Sequence, residues 1–77
     1  MLIEFSQGKI IVTPHEIVVR FSSLPQCVLQ AEQSAVSLFG SGANILMANV
    51  GGVKWSVKLD TPEQIELISQ ELGCEIA

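Results

Sequence analysis

The strictest constraint on this chain lies in residues 53–59, where apolar and polar side chains alternate without a break. Val53, Trp55, Val57 and Leu59 take one face, and Lys54, Ser56 and Lys58 take the other. A period of two belongs to a strand with one buried face. A slip of one residue would expose the only tryptophan and bury two ammonium groups, so the register is specified. Directly after this strand, Thr61-Pro62-Glu63-Gln64 carries the chemistry of a helix start. Thr61 can cap, Pro62 suits the first helical position, and Gln64 completes a capping box. Glu63 and Glu66 sit near the positive end of the helix dipole. Ile65, Ile68 and Leu72 recur at helical spacing, Leu67 flanks them, and Gly73 supplies the stop. This stripe is expected to cover the sheet face that carries Trp55, Val57, Ile17 and Val19.

Upstream, the pattern is that of strands joined by short turns. Ile3 and Phe5 alternate with Leu2 and Glu4 before a Ser6-Gln7-Gly8 turn. Lys9-Ile10-Ile11-Val12-Thr13 then runs to Pro14, which has no N–H for a ladder. In residues 16–21, Ile17, Val19 and Phe21 share one face, and Glu16, Val18 and Arg20 share the other. Such short connections pair neighbouring strands antiparallel. Ala43-Asn44-Ile45-Leu46-Met47-Ala48 leads into Asn49-Val50-Gly51-Gly52, a hairpin whose glycines can supply positive φ.

Residues 22–42 admit two readings. As a helix, Ser23 lies near the start, Pro25 falls in the first turn and Gly40 ends it. Cys27, Val28, Ala31, Ala35, Leu38 and Phe39 then form one stripe. As two strands, Cys27, Leu29 and Ala31 alternate with polar neighbours. Glu32-Gln33-Ser34 then turns the chain, and Val36 and Leu38 share a face. The fold class is α+β either way. One form is an antiparallel meander of about five to seven short strands covered by a C-terminal helix. The other is βββαββα, with an extra helix over residues 25–39.

The 77 residues make one domain, spanning residues 1–77, near the lower limit for a single unaided core. Charged residues are 16% of the chain against roughly 25% in ordinary domains, while 48% are apolar. So few charges leave apolar surface uncovered, which favours a homodimer or another protein partner. With a net charge of −4 and only Lys9, Arg20, Lys54 and Lys58 as fixed cations, nucleic acid and anionic membranes are disfavoured partners. The opening residues lack a signal-peptide pattern, and no apolar run approaches the roughly 20 residues of a membrane span. Cytoplasmic residence with reduced Cys27 and Cys74 is the expectation.

Candidate chemistry is sparse. His15, the only histidine, lies in Thr13-Pro14-His15-Glu16, a turn rather than the helix start that would hold a phosphoryl group, with a carboxylate beside it. A phosphoacceptor role for His15 is the alternative function. Cys27 reads as a small core residue. Cys74 reads as an exposed thiol, and neither has a cation beside it in sequence. Gly40-Ser41-Gly42 lacks the Lys-Ser/Thr of a phosphate loop. Glu63, Glu66, Glu71 and Glu75 read as a solvated helix face rather than a metal cage. No enzymatic activity, cofactor or metal is expected. The best candidate partner surface is the strip of Lys54, Ser56 and Lys58, joined by Arg20 and Lys9 if their strands face the same way. A small-ligand pocket near Trp55 is a further alternative.

The segment from Gly52 to Gln64, with Ile3-Glu4-Phe5-Ser6-Gln7-Gly8-Lys9-Ile10-Ile11, resembles a small family of functionally uncharacterised bacterial proteins of about this length. The resemblance covers the whole chain and implies extended structure over the ambiguous middle. It carries no functional residue. More remotely, a strand with an inward tryptophan, then Asp60-Thr61-Pro62-Glu63 and an amphipathic helix, is similar to the end of a pleckstrin-homology-like domain, a likeness of topology in longer chains. The expected function is that of a non-enzymatic interaction or regulatory domain.

Overall fold

The computed structural model describes residues 1–24 and 26–77. Strands β1 (Leu2–Phe5), β2 (Gly8–Val12), β3 (Glu16–Phe21) and β4 (Val28–Glu32) form one antiparallel sheet in chain order. Strands β5 (Val36–Phe39), β6 (Ile45–Val50) and β7 (Val53–Lys58) form a second, and helix α1 (Pro62–Leu72) follows. The meander therefore divides in two. The break is a single 3-10 turn, Gln33–Ala35, held by a 2.8 Å bond from the Gln33 N–H to the His15 carbonyl. The Gln33 side chain also donates to the Leu72 carbonyl at 2.7 Å, tying the turn to the end of α1.

This settles the middle of the chain as strands. Good helix formers there yield to pairing: β4 joins β3 through Ile17↔Ala31 and Val19↔Leu29, and β5 joins β6 through Leu38↔Leu46. Propensity is the weaker term when tertiary partners are on offer. Pro25, the expected first-turn residue of the alternative helix, lies outside the described residues. Ser22, Ser23 and Leu24 are not helical.

The core lies between the sheets. From the first come Ile10, Val12, Ile17 and Val19, all without accessible surface; from the second come Leu38, Leu46, Ala48 and Val57. Ile65, Ile68 and Leu72 of α1 close it, as their spacing demands. Burying each of these larger side chains stabilises the fold by roughly 1.5–3 kcal/mol. Two expectations are corrected. The helix packs chiefly on β2 and β5, over the inner face that β2 shares with Ile17 and Val19 but not over Trp55, which is half-buried on an edge strand. Val53 is 65% exposed because it flanks the Gly51-Gly52 hairpin, where both glycines have positive φ, and so lies beyond the core.

The start of α1 is a junction. Thr61 Oγ1 accepts from the Gln64 N–H at 3.4 Å. Gln64 Oε1 accepts from the N–H groups of Asp60 and Thr61 at 2.8 and 3.2 Å. Gln64 Nε2 reaches across to the Glu4 carbonyl at 3.1 Å. Asp60 accepts from the Ser6 N–H at 2.7 Å and from its hydroxyl at 2.6 Å. The outer edge of β1 is thus tied to the helix. The edge of β5 is occupied by the last residues, through a parallel Leu38↔Ile76 bridge and a 2.8 Å bond from the Ala77 N–H to the Leu38 carbonyl. β4 and β7 remain as edge strands.

Candidate functional site

The outer face of the four-stranded sheet follows from its register. Because side chains alternate, the residues facing away from the core fall into three rows across the strands. Leu2, Ile11, Val18 and Gln30 make the middle row. Glu4, Lys9, Arg20 and Val28 lie to one side, and Glu16 pairs with Glu32 on the other. Leu2 is 57% exposed, Val28 46% and Ile11 39%, with Val18 half-buried among them. Met1 is also exposed, and its amino group donates to the Val12 carbonyl at 2.8 Å. Scattered apolar residues need no explanation, but a row of them crossing an open sheet does.

The middle row has a signal in the sequence that alternation on single strands does not bring out. Ile10-Ile11-Val12 and Ile17-Val18-Val19 are runs of three β-branched residues, and a strand must turn the central one of each away from the core. Register then sets Ile11 beside Val18.

The structure separates the cations grouped from sequence. Lys54, Ser56 and Lys58 are exposed on the outer side of β7, whereas Arg20 is exposed on β3 with Lys9 opposite it, in the other sheet. Beside Lys54 and Lys58, the second sheet's outer face presents half-buried Phe39, Ile45 and Met47. Lysines on an edge strand also have a plain structural use, which is to deter pairing with another chain.

His15 is exposed, its N–H bonded to Thr13 Oγ1 at 3.2 Å. The open groove beside it is lined by Glu16, Glu32, Gln33 and Ser34. Two carboxylates and no ammonium or guanidinium among the described lining residues make a poor cradle for a phosphoryl group. Cys27 is half-buried before β4 and stands outside the core. Cys74 is not the exposed thiol expected: it is half-buried, its Sγ lies 3.6 Å from the Gln33 carbonyl, and burial pushes its pKa up. Both thiols are free. Trp55 packs against the core, and none of the main grooves among the described residues is lined by it. Among the described residues no three acidic, histidine or cysteine side chains come together to hold a metal ion.

The hydrogen bond from the Ser6 hydroxyl does most to hold Asp60 below the ordinary aspartate pKa; desolvation opposes it, and the Ser6 N–H and the Gln64 side chain add lesser lowering effects. The buried Asn44, in the left-handed region with φ 53°, passes its carbonyl to the Leu59 N–H at 2.7 Å and so joins the β5–β6 loop to the end of β7.

Fold and surface together define a small α+β domain of two antiparallel sheets closed by one helix, with an apolar row on the open face of the larger sheet. No described helix is long and apolar enough to cross a membrane. The chain belongs to the family described as protein of unknown function DUF3389, whose model matches residues 1–76. No curated protein and no solved structure matches it, so the likeness to pleckstrin-homology-like domains rests on element order alone.

Proposed function

We propose that this protein is a non-enzymatic interaction domain, cytoplasmic and with reduced thiols, whose working surface is the outer face of the four-stranded sheet. One observation carries the reading: the row of Leu2, Ile11 and Val18 crosses that face with Val28 close by, and Leu2, Ile11 and Val28 keep large exposed fractions. On a chain of 77 residues, holding this much apolar surface in water is costly unless a partner covers it. The charged rows to either side supply the polar rim that surrounds an interface centre. A phosphoacceptor role for His15 has weaker support, because its groove gathers Glu16 and Glu32.

The test is affinity capture from native lysate, with the intact assembly weighed, for the wild type and for Ile11→Lys. The reading expects an assembly heavier than the 8.3 kDa chain that is lost in the variant while the fold is kept. An identical set of retained proteins from both would refute the choice of surface.

A further inference from the structure

The outer face of the four-stranded sheet carries its charge in two like-signed pairs. Lys9 lies directly opposite Arg20 across β2 and β3, and Glu16 lies directly opposite Glu32 across β3 and β4. Both juxtapositions are unfavourable in an isolated chain. Glu4, on the far side of Lys9, answers only one of the two cations. Glu16 receives a 2.7 Å bond from the neutral amide of Gln30. Between the pairs runs the uncharged row of Leu2, Ile11, Val18 and Gln30. Along β3, Glu16 and Arg20 therefore stand about 7 Å to either side of Val18.

Resting on the reading of this face as the working surface, we infer that its occupant is a second copy of the same chain, related by a two-fold axis along the Leu2–Val18 row. That operation lays each strand over its own counterpart in the opposite direction. Arg20 of one copy comes to face Glu16 of the partner copy, and Val28 comes to face Glu32 of the partner copy. Ile11 and Val18 meet their own counterparts on the axis. Lys9, one strand away from Arg20 at about 4.8 Å, reaches the same partner carboxylate. A single symmetry operation thus sets Arg20 against the partner copy's Glu16 and brings the Lys9–Arg20 pair beside the partner copy's Glu16–Glu32 pair, offset by one strand, in a self-complementary isologous interface.

A uniformly acidic partner would satisfy Lys9 and Arg20 and be repelled by Glu16 and Glu32, and a basic one the reverse. Only a surface with both signs in mirrored order fits, and this face is one. Sheets stacked face to face pack about 10 Å apart at roughly 30°, which keeps neighbouring rows matched. Four strands about 4.8 Å apart and five residues long give roughly 19 × 17 Å of face. With side-chain relief the two copies bury on the order of 1,000 Å², the low end for a specific interface. The dimer is therefore one that dissociates on dilution.

Sedimentation velocity across about 1 μM to about 1 mM tests this, since such an assembly follows mass action. The wild type is expected to pass from the 8.3 kDa chain to twice that mass. Arg20→Glu and Glu16→Arg, each alone and each with the wild-type circular dichroism spectrum, should weaken self-association by about tenfold or more. An equimolar mixture of the two should restore it. One variant then carries only acids at these positions and the other only bases, so they pair with each other and not with themselves. A wild type that stays monomeric throughout, single variants that associate like the wild type, or a mixture no better than its components would each overturn the proposal. If the wild type is monomeric yet loses a different captured protein on Ile11→Lys, the second copy is refuted and the surface stands. If Ile11→Lys changes nothing in capture, the reading of the surface itself falls.

Discussion

Gln64 is the side chain whose removal tests the construction of this fold most sharply. Its Oε1 accepts two backbone N–H groups at the helix start, and its Nε2 donates to the Glu4 carbonyl on β1. Gln64→Ala deletes all three bonds and keeps the one from its own N–H to Thr61 Oγ1. A net bond is worth roughly 0.5–1.5 kcal/mol. All three here are solvent-accessible, so water replaces part of each, and alanine regains a little helix propensity. The expected loss is about 1–2 kcal/mol, a large share of the roughly 3–5 kcal/mol available to a core of this size. Unfolding entropy near 2.1 cal/mol/K per residue gives about 0.16 kcal/mol/K for this length, so Tm should fall by about 6–12 °C. Thermal melting followed by circular dichroism reads this directly, with exposed Gln70→Ala as the propensity control. Thr61→Ala acts on the same cap, so the double variant should cost less than the sum by about 0.5 kcal/mol or more. A Gln64→Ala melt within about 2 °C of the wild type would refute the reasoning, as would strict additivity with Thr61→Ala.

Other substitutions probe other parts of the structure. A Cβ built on Gly8 would lie 1.9 Å from the Arg20 carbonyl oxygen, so Gly8→Ala must force β2 and β3 apart. It should leave little folded protein by circular dichroism at 25 °C, and a cooperative melt close to the wild type would contradict that contact. Leu46→Ala, truncating a side chain with no accessible surface between Leu38 and Val57, should cost about 2–5 kcal/mol in a urea titration. Asp60 has a folded pKa below its unfolded value of about 3.9, so its stabilisation is complete above that value. The contribution is lost as pH falls from there through the folded pKa. Asp60→Asn should therefore lower Tm at neutral pH and converge with the wild type in strong acid; a constant difference across pH would rule out the carboxylate as the cause.

Legibility followed the strength of the local pattern. The Val53–Lys58 strand and the helix after it carry redundant signals, an unbroken period of two and a complete capping box, and both elements form where the pattern places them, although Val53 lies beyond the core and Trp55 is only half-buried. The Gln33–Ala35 turn is different. Nothing local says that β4 and β5 belong to separate sheets, because that division is fixed by Gln33 reaching Leu72 across 39 positions of sequence. The seating of α1 on β2 and β5 is likewise a long-range matter, as its stripe specifies a buried face without naming the surface beneath. Lys54, Lys58 and Arg20 looked alike because each alternates outward on its strand. Which strands share a sheet decides whether such residues meet, and periodicity is silent on that point.

The central claim is that the Leu2, Ile11 and Val18 row, with its charged flanks, meets the same face of a second copy. Amide chemical shifts recorded through a dilution series test it residue by residue. Concentration-dependent shifts should appear at Ile11, Glu16, Val18 and Arg20 and leave β6 and β7 unchanged. Shifts confined to β6 and β7, or none at any concentration, would contradict the account.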